Sequence, residues 1–140
     1  MPKRTNPFQR VVRSLYEVLA PLGATVEESA LLTETPTGSE REIDVLITFP
    51  TLGTQLRIAV ECRDHDRPQT VEWIDSLIGK YSNLPIDKVI AVSDSGFTPA
   101  AELKAKNTKV NWSAPTLLKK WNGRKNWSHW NGSHFTLSTA

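Results

Sequence analysis

Two short apolar runs place acidic residues where chemistry can be done. Glu42-Ile43-Asp44-Val45-Leu46-Ile47 and Arg57-Ile58-Ala59-Val60-Glu61-Cys62-Arg63 are rich in β-branched residues and read as strands. Pro50-Thr51-Leu52-Gly53 between them reads as a hairpin connection, and Asp44 and Glu61 lie equally far from a midpoint between Leu52 and Gly53. A symmetric antiparallel pair sets the two carboxylates opposite one another, with Cβ atoms about 4.5–5.5 Å apart. Desolvated carboxylates at that spacing repel each other and call for a counter-charge. Mg²⁺, a hard cation that takes oxygen ligands, suits them. Arg63 falls on the face of Glu61, two residues further on. The plainer reading pairs both acids with Arg41, Arg57 or Arg63 on an exposed sheet face.

The elements that must position these groups are legible on either side. Residues 8–20 read as a helix, with Val11, Val12, Leu15, Val18 and Leu19 on one stripe and Pro21 and Gly23 as a stop. Thr25–Thr33 reads as the first strand, 41–49 as the second and 55–63 as the third. Alternation puts Ile43, Val45, Ile47 and Phe49 on one face of the second strand and Glu42, Asp44, Leu46 and Thr48 on the other. On the third, Leu56, Ile58, Val60 and Cys62 oppose Arg57, Ala59, Glu61 and Arg63. A helix follows, with Asp66 as cap, Pro68 in its first turn and Val71, Ile74, Leu77, Ile78 and Tyr81 as its apolar face. Lys88–Ser93 has the unbroken apolar character of a strand buried on both faces. Thr98 and Pro99 begin another helix to about Lys106. Lys109–Trp112 reads as a short strand and Pro115–Trp121 as a short helix. The expected fold is α/β: an antiparallel meander joined to an α/β crossover, giving a mixed sheet flanked by helices.

An acid on one strand and acid-x-base on the next, with a helix before and after, resembles the PD-(D/E)xK nuclease superfamily. The closer likeness is to its Mrr-like, type IV restriction endonuclease branch. Ile43-Asp44-Val45 looks like the first motif and Val60-Glu61-Cys62-Arg63 like the Glu-x-Lys strand. Residues 71–80 resemble the next helix. Lys88 to Ala101, with Ser95-Gly96-Phe97-Thr98, resembles the following strand and turn. The resemblance implies a restriction-endonuclease-like fold and a Mg²⁺-dependent endodeoxyribonuclease acting on DNA. In it Asp44, Glu61 and the backbone carbonyl of Cys62 hold the metal, and Asp44, Glu61 and Arg63 are catalytic.

Arg63 departs from the family pattern, which has lysine there. Arginine stays protonated at any working pH, so it can clamp a phosphate but not serve as a base. Three outcomes are open: Arg63 substitutes electrostatically; Lys80, although opposite Val71 on its helix, supplies the ammonium; or the site is weakened or inactive and the protein is a nucleic-acid-binding module. The first helix of this family often adds an acid to the site, but Glu17 lies opposite the Leu15 face and Gln9 is no better placed, so neither joins the core assignment.

The 140-residue chain is 39% hydrophobic and 23% charged, enough for one soluble domain with a core. No apolar stretch approaches the roughly 20 residues that span a bilayer, and a lone cysteine, Cys62, rules out an internal disulfide. A cytoplasmic location follows as the simplest expectation. Net charge is only +2, yet from Lys104 onward there are seven Lys or Arg and no acid, a distribution suited to phosphates or to a solvated face. Lys80, Lys119, Lys120, Arg124 and Lys125 are the expected backbone contacts. Four of the five tryptophans follow residue 111, either to stack on bases or to plug the sheet edge. The expected division is a nuclease domain, 1–120, and a Trp/Asn/Gly-rich basic tail, 121–140. Domains this small commonly need a dimer or a fused reader to cut duplexes, which makes a homodimer a candidate state. Asp64, His65 and Asp66 read either as a second metal locus or as a polar turn before a helix.

Overall fold

The computed structural model describes residues 6–108, 110–115 and 137–139. Helix α1 (Pro7–Leu19) begins as its sequence requires: Asn6 accepts the Gln9 amide and Pro7 fills the first turn. Strands β1 (Thr25–Thr33), β2 (Glu40–Thr51) and β3 (Thr54–Arg63) form the antiparallel meander. Leu52 and Gly53, both at positive φ (47° and 78°), make the turn between β2 and β3, a tight connection whose twist matches the flanking strands. Helix α2 (Val71–Tyr81) then crosses to β4 (Lys88–Ser93), parallel to β3, and α3 (Pro99–Lys106) crosses to β5 (Val110–Pro115), parallel to β4. A short strand β6 (Leu137–Thr139) closes the sheet antiparallel to β5, giving the spatial order β1 to β6.

The sheet separates two cores. On one side Phe8, Val11 and Val12 of α1 pack with Val45, Ile47, Val60 and Val92. On the other, Trp73, Ile74 and Leu77 of α2 and Ala101 and Ala105 of α3 pack with Leu46, Ala59, Val89 and Ala91.

Three local expectations are corrected. Helix α2 starts at Val71, after an N-cap at Thr70, so neither Asp66 nor Pro68 belongs to its first turn. Gln69 explains this: it pairs as an isolated bridge with Phe97, which holds the preceding segment extended. Strand β5 runs on to Pro115, where a helix start was expected, and residues 116–121 lie outside those described. Ile43 joins the α2 core rather than sharing a face with Val45 and Ile47. Strands β1 and β2 change face at the same rung: Val26 of β1 packs toward α1, whereas Ala30 and Leu32 pack toward α2. Ser29, at φ 54°, breaks the alternation there, and the β1–β2 ladder skips the rung between Glu28↔Val45 and Ala30↔Ile43.

Candidate active site

Asp44 sits on that irregular rung. The β2–β3 register, Val45↔Val60 through Thr51↔Thr54, is the one centred on the Leu52–Gly53 turn. The ladder stops one residue short of Asp44 and Glu61. There a side chain takes over from the main chain: Asp44 Oδ2 accepts the Cys62 backbone N–H at 2.8 Å. The Asp44 main chain is held from the other side of the sheet, where the buried Gln9 amide donates to its carbonyl at 3.1 Å and to Ser29 Oγ at 3.2 Å.

The two carboxyls meet. Burial and then the Glu61 charge push Asp44 up from 3.8 to about 7, and the pair are within hydrogen-bonding reach of each other. The Cys62 amide and the Lys80 ammonium pull in the opposite direction without overcoming this. Glu61 is buried, its Oε1 accepting from Lys80 Nζ at 2.5 Å and from the Tyr81 hydroxyl. Burial and the Glu61 carboxylate raise the Tyr81 hydroxyl, so it stays a proton donor. Burial likewise raises the Cys62 thiol; a protonated thiol on the α1 side of the sheet is no nucleophile.

Arg63 lies nearby but is engaged elsewhere. Its Nη1 donates to Gln69 Oε1 at 3.1 Å, and its guanidinium sits 4.9 Å from the Trp73 ring centroid. Trp73 in turn stacks on Phe97, with ring centroids 5.9 Å apart. Partial burial lowers the Arg63 pKa, while the Glu61 and Asp44 charges act to raise it.

Lys80 is placed differently from its helical-wheel expectation. A helical wheel sets it opposite Val71, but the buried stripe of α2 is Trp73, Ile74, Leu77 and Tyr81. Lys80 lies seven residues beyond Trp73, hence within about 20° of it on a helix of 100° per residue. Its ammonium therefore turns inward, donating to Glu61 and, at 2.5 Å, to the Glu42 carbonyl. Gln9 was also underrated by its position on the wheel. Its place beside the buried Phe8 at the helix start is the signal, and there it reaches Ser29 and Asp44. Glu17 makes an exposed pair with Arg13 at 2.9 Å. Arg41 pairs with Glu34, so the acid pair's cation partner is Lys80.

Among the described residues no group of three or more His, Cys, Asp or Glu converges on a metal position. Asp44 and Glu61 are a pair, and their chemistry fits a hard cation. Both offer oxygen, both are largely desolvated, and burial and then the Glu61 charge favour a proton on Asp44 that a cation would displace. Asp64, His65, Asp66 and Arg67 line a surface cavity of about 580 Å³ after β3, where the His65 carbonyl accepts from Ser95. Lys119, Lys120, Arg124 and Lys125 lie outside the described residues.

Residues 7–120 match the family model for the Mrr catalytic domain, described as restriction endonuclease. The chain belongs to this Mrr-like restriction endonuclease family and has its mixed-sheet PD-(D/E)xK fold. Solved structures agree with that fold. The protein of unknown function AF1548 is similar at 14% identity and TM-score 0.61, covering 86% of this chain and 61% of that one. The DNA modification-dependent restriction endonuclease AspBHI is similar at 16% identity and TM-score 0.53, covering 78% and 29%. MspJI restriction endonuclease, solved with a 27-mer oligonucleotide, is similar at 16% identity and TM-score 0.51, covering 79% and 26%. The chain thus spans less than two thirds of each of these proteins. No curated protein matches it. No helix among the described residues is long and apolar enough to cross a membrane.

Proposed function

We propose that this chain is a Mg²⁺-dependent DNA endonuclease, or the cutting domain of one, hydrolysing phosphodiester bonds at the Asp44–Glu61 pair. The observation that carries this is the pair itself: two desolvated carboxyls meeting where the β2–β3 ladder ends, beside the Cys62 backbone. Even with Lys80 on Glu61, burial and the neighbouring charge oppose the ionisation of Asp44, and a hard divalent cation would offset that cost. Family membership supports the nuclease class, and the likeness to AspBHI, a DNA modification-dependent restriction endonuclease, and to MspJI, solved with an oligonucleotide, supports DNA as the substrate.

In this reading Asp44, Glu61 and the Cys62 carbonyl hold the ion. When bound, a hard divalent cation supplies Lewis-acid polarisation of a phosphate oxygen and a more acidic water. Gln9 fixes the Asp44 backbone, and the Cys62 amide fixes the Asp44 carboxylate. Tyr81 and Lys80 fix one oxygen of Glu61 and leave its orientation little freedom. Arg63, at the mouth of the site, contacts the substrate phosphate. Residues 1–120 form the cutting domain, and the basic residues 119, 120, 124 and 125 hold the DNA backbone. Cutting both strands of a duplex then takes a homodimer or a fused reader.

A second reading, a nuclease-fold module that binds nucleic acid without cutting, draws on one observation: Arg63 replaces the family lysine and is committed to Gln69 and Trp73. Incubation with supercoiled plasmid separates the two. Nicking that requires Mg²⁺ and stops with EDTA supports the enzyme; metal-independent DNA binding without nicking supports the module; neither cleavage nor binding refutes both.

A further inference from the structure

Resting on the nuclease reading above, we propose that Lys80 is a catalytic residue, its ammonium carried on α2 rather than on the strand that bears Glu61. Phosphodiester hydrolysis forms a bond from water oxygen to phosphorus and breaks one ester P–O bond. The electron pair stays on the leaving oxygen, which takes up a proton, and the other proton of water leaves for solvent as the new phosphate ionises. Negative charge grows on the phosphate oxygens along the way, and a fixed positive donor beside the carboxylate pair stabilises it. Lys80 is the ammonium that meets this need. Its Nζ lies 2.5 Å from Glu61 Oε1 and 2.5 Å from the Glu42 carbonyl, on a side chain only 18% exposed. An ammonium has three N–H donors; two go to these acceptors, beside the Tyr81 ring at 5.3 Å, and in this assignment the third serves the phosphate.

Its placement is built, not incidental. Trp73, Ile74 and Leu77 bury the face of α2 that carries Lys80, and the neighbouring Tyr81 hydroxyl shares Glu61 Oε1 with it. Arg63, two residues past Glu61 on the strand, is held instead by Gln69 and the Trp73 ring. The structure thus divides two tasks between two cations: a guanidinium anchored at the rim and an ammonium anchored on the acid pair.

Single-turnover plasmid nicking, with Mg²⁺ binding by calorimetry and thermal melting beside it, tests the assignment. Lys80→Met is expected to lose about 100-fold or more in rate, the scale of removing one preorganised donor, while still melting cooperatively and binding Mg²⁺. Returning the ammonium to the strand in Lys80→Met/Arg63→Lys is expected to recover about tenfold or more of that loss. Lys80→Arg controls for the ion pair with Glu61 and is expected to keep fold and metal binding. Three results overturn the assignment alone: Lys80→Met cutting within about threefold of wild type, Lys80→Met losing Mg²⁺ binding in step with activity, or no recovery in the double variant. A wild-type protein that binds DNA but cuts it with neither Mg²⁺ nor Mn²⁺ overturns the nuclease reading, and this assignment with it.

Discussion

The Cys62 backbone N–H donates to Asp44 Oδ2 at 2.8 Å, so that a carboxylate stands where the next rung of the β2–β3 ladder would be. An acid is thereby fixed against the strand that carries Glu61, close enough for the Glu61 charge to oppose the ionisation of Asp44. The proposed site makes this contact matter for stability, metal binding and catalysis together.

Asp44 titrates at about 7 instead of 3.8, through burial first and the Glu61 charge second. The folded chain holds this proton more tightly than the unfolded chain. Its stabilising effect is therefore full below the ordinary carboxylate range and is lost as pH rises through about 7. In EDTA, Asp44→Asn is expected to be more stable than wild type at pH 8 by about 1–3 kcal/mol, the gap closing as pH falls toward 4. Urea unfolding at several pH values reads this directly; a variant less stable at pH 8 contradicts it.

In the proposed site Mg²⁺ would compete with that same proton. The rise in melting temperature on adding Mg²⁺ is expected to be larger at pH 8 than at pH 6, because at the lower pH the ion must first displace the proton. Melting curves with Mg²⁺ and with EDTA at the two pH values test it, and an equal or reversed shift refutes the shared use of Asp44.

Gln9 donates to the Asp44 carbonyl and to Ser29 Oγ from a fully buried position. Gln9→Met keeps the shape and removes the donor, leaving two acceptors unpaired, at a cost of about 1–3 kcal/mol. Gln9→Glu adds a third carboxyl near the pair and is expected to destabilise more at pH 8 than at pH 5. Chemical denaturation of both variants decides whether the amide matters for its donor or only for its volume.

Arg63→Met removes the donor to the buried Gln69 carbonyl oxygen and the cation over Trp73. A stability loss of about 1–2 kcal/mol is expected, together with weaker DNA binding in EDTA. DNA affinity unchanged in a fluorescence anisotropy titration contradicts a role for Arg63 at the phosphate.

Much of this was legible in the residues. The period-2 runs either side of Leu52-Gly53 fixed the hairpin, and its centre fixed the register that brings Asp44 beside Glu61. The helices over Val71–Tyr81 and Pro99–Lys106 were legible because the apolar spacing of the first and the Thr98-Pro99 start signal of the second are local. What was not legible depends on contacts made across the sheet. A serine at φ 54° cannot be read from its neighbours, so the change of face at Ser29 and Asp44 was invisible, and Ile43 was assigned to the wrong core. The start of α2 moved to Val71 because Gln69 pairs with Phe97, a partner far along the chain. Lys80 was measured from Val71 instead of from the buried Trp73, and only packing reveals which residue sets the inward direction. Gln9 looked unremarkable on its helix because its two acceptors come from other strands.

Calorimetric titration of Mg²⁺ into wild type, Asp44→Asn and Glu61→Gln at pH 8 tests the central claim most directly. Binding in wild type that weakens about tenfold or more in each variant, with both variants folded, is the predicted result. No binding in wild type, or binding that both substitutions leave unchanged, would contradict a metal shared by Asp44 and Glu61.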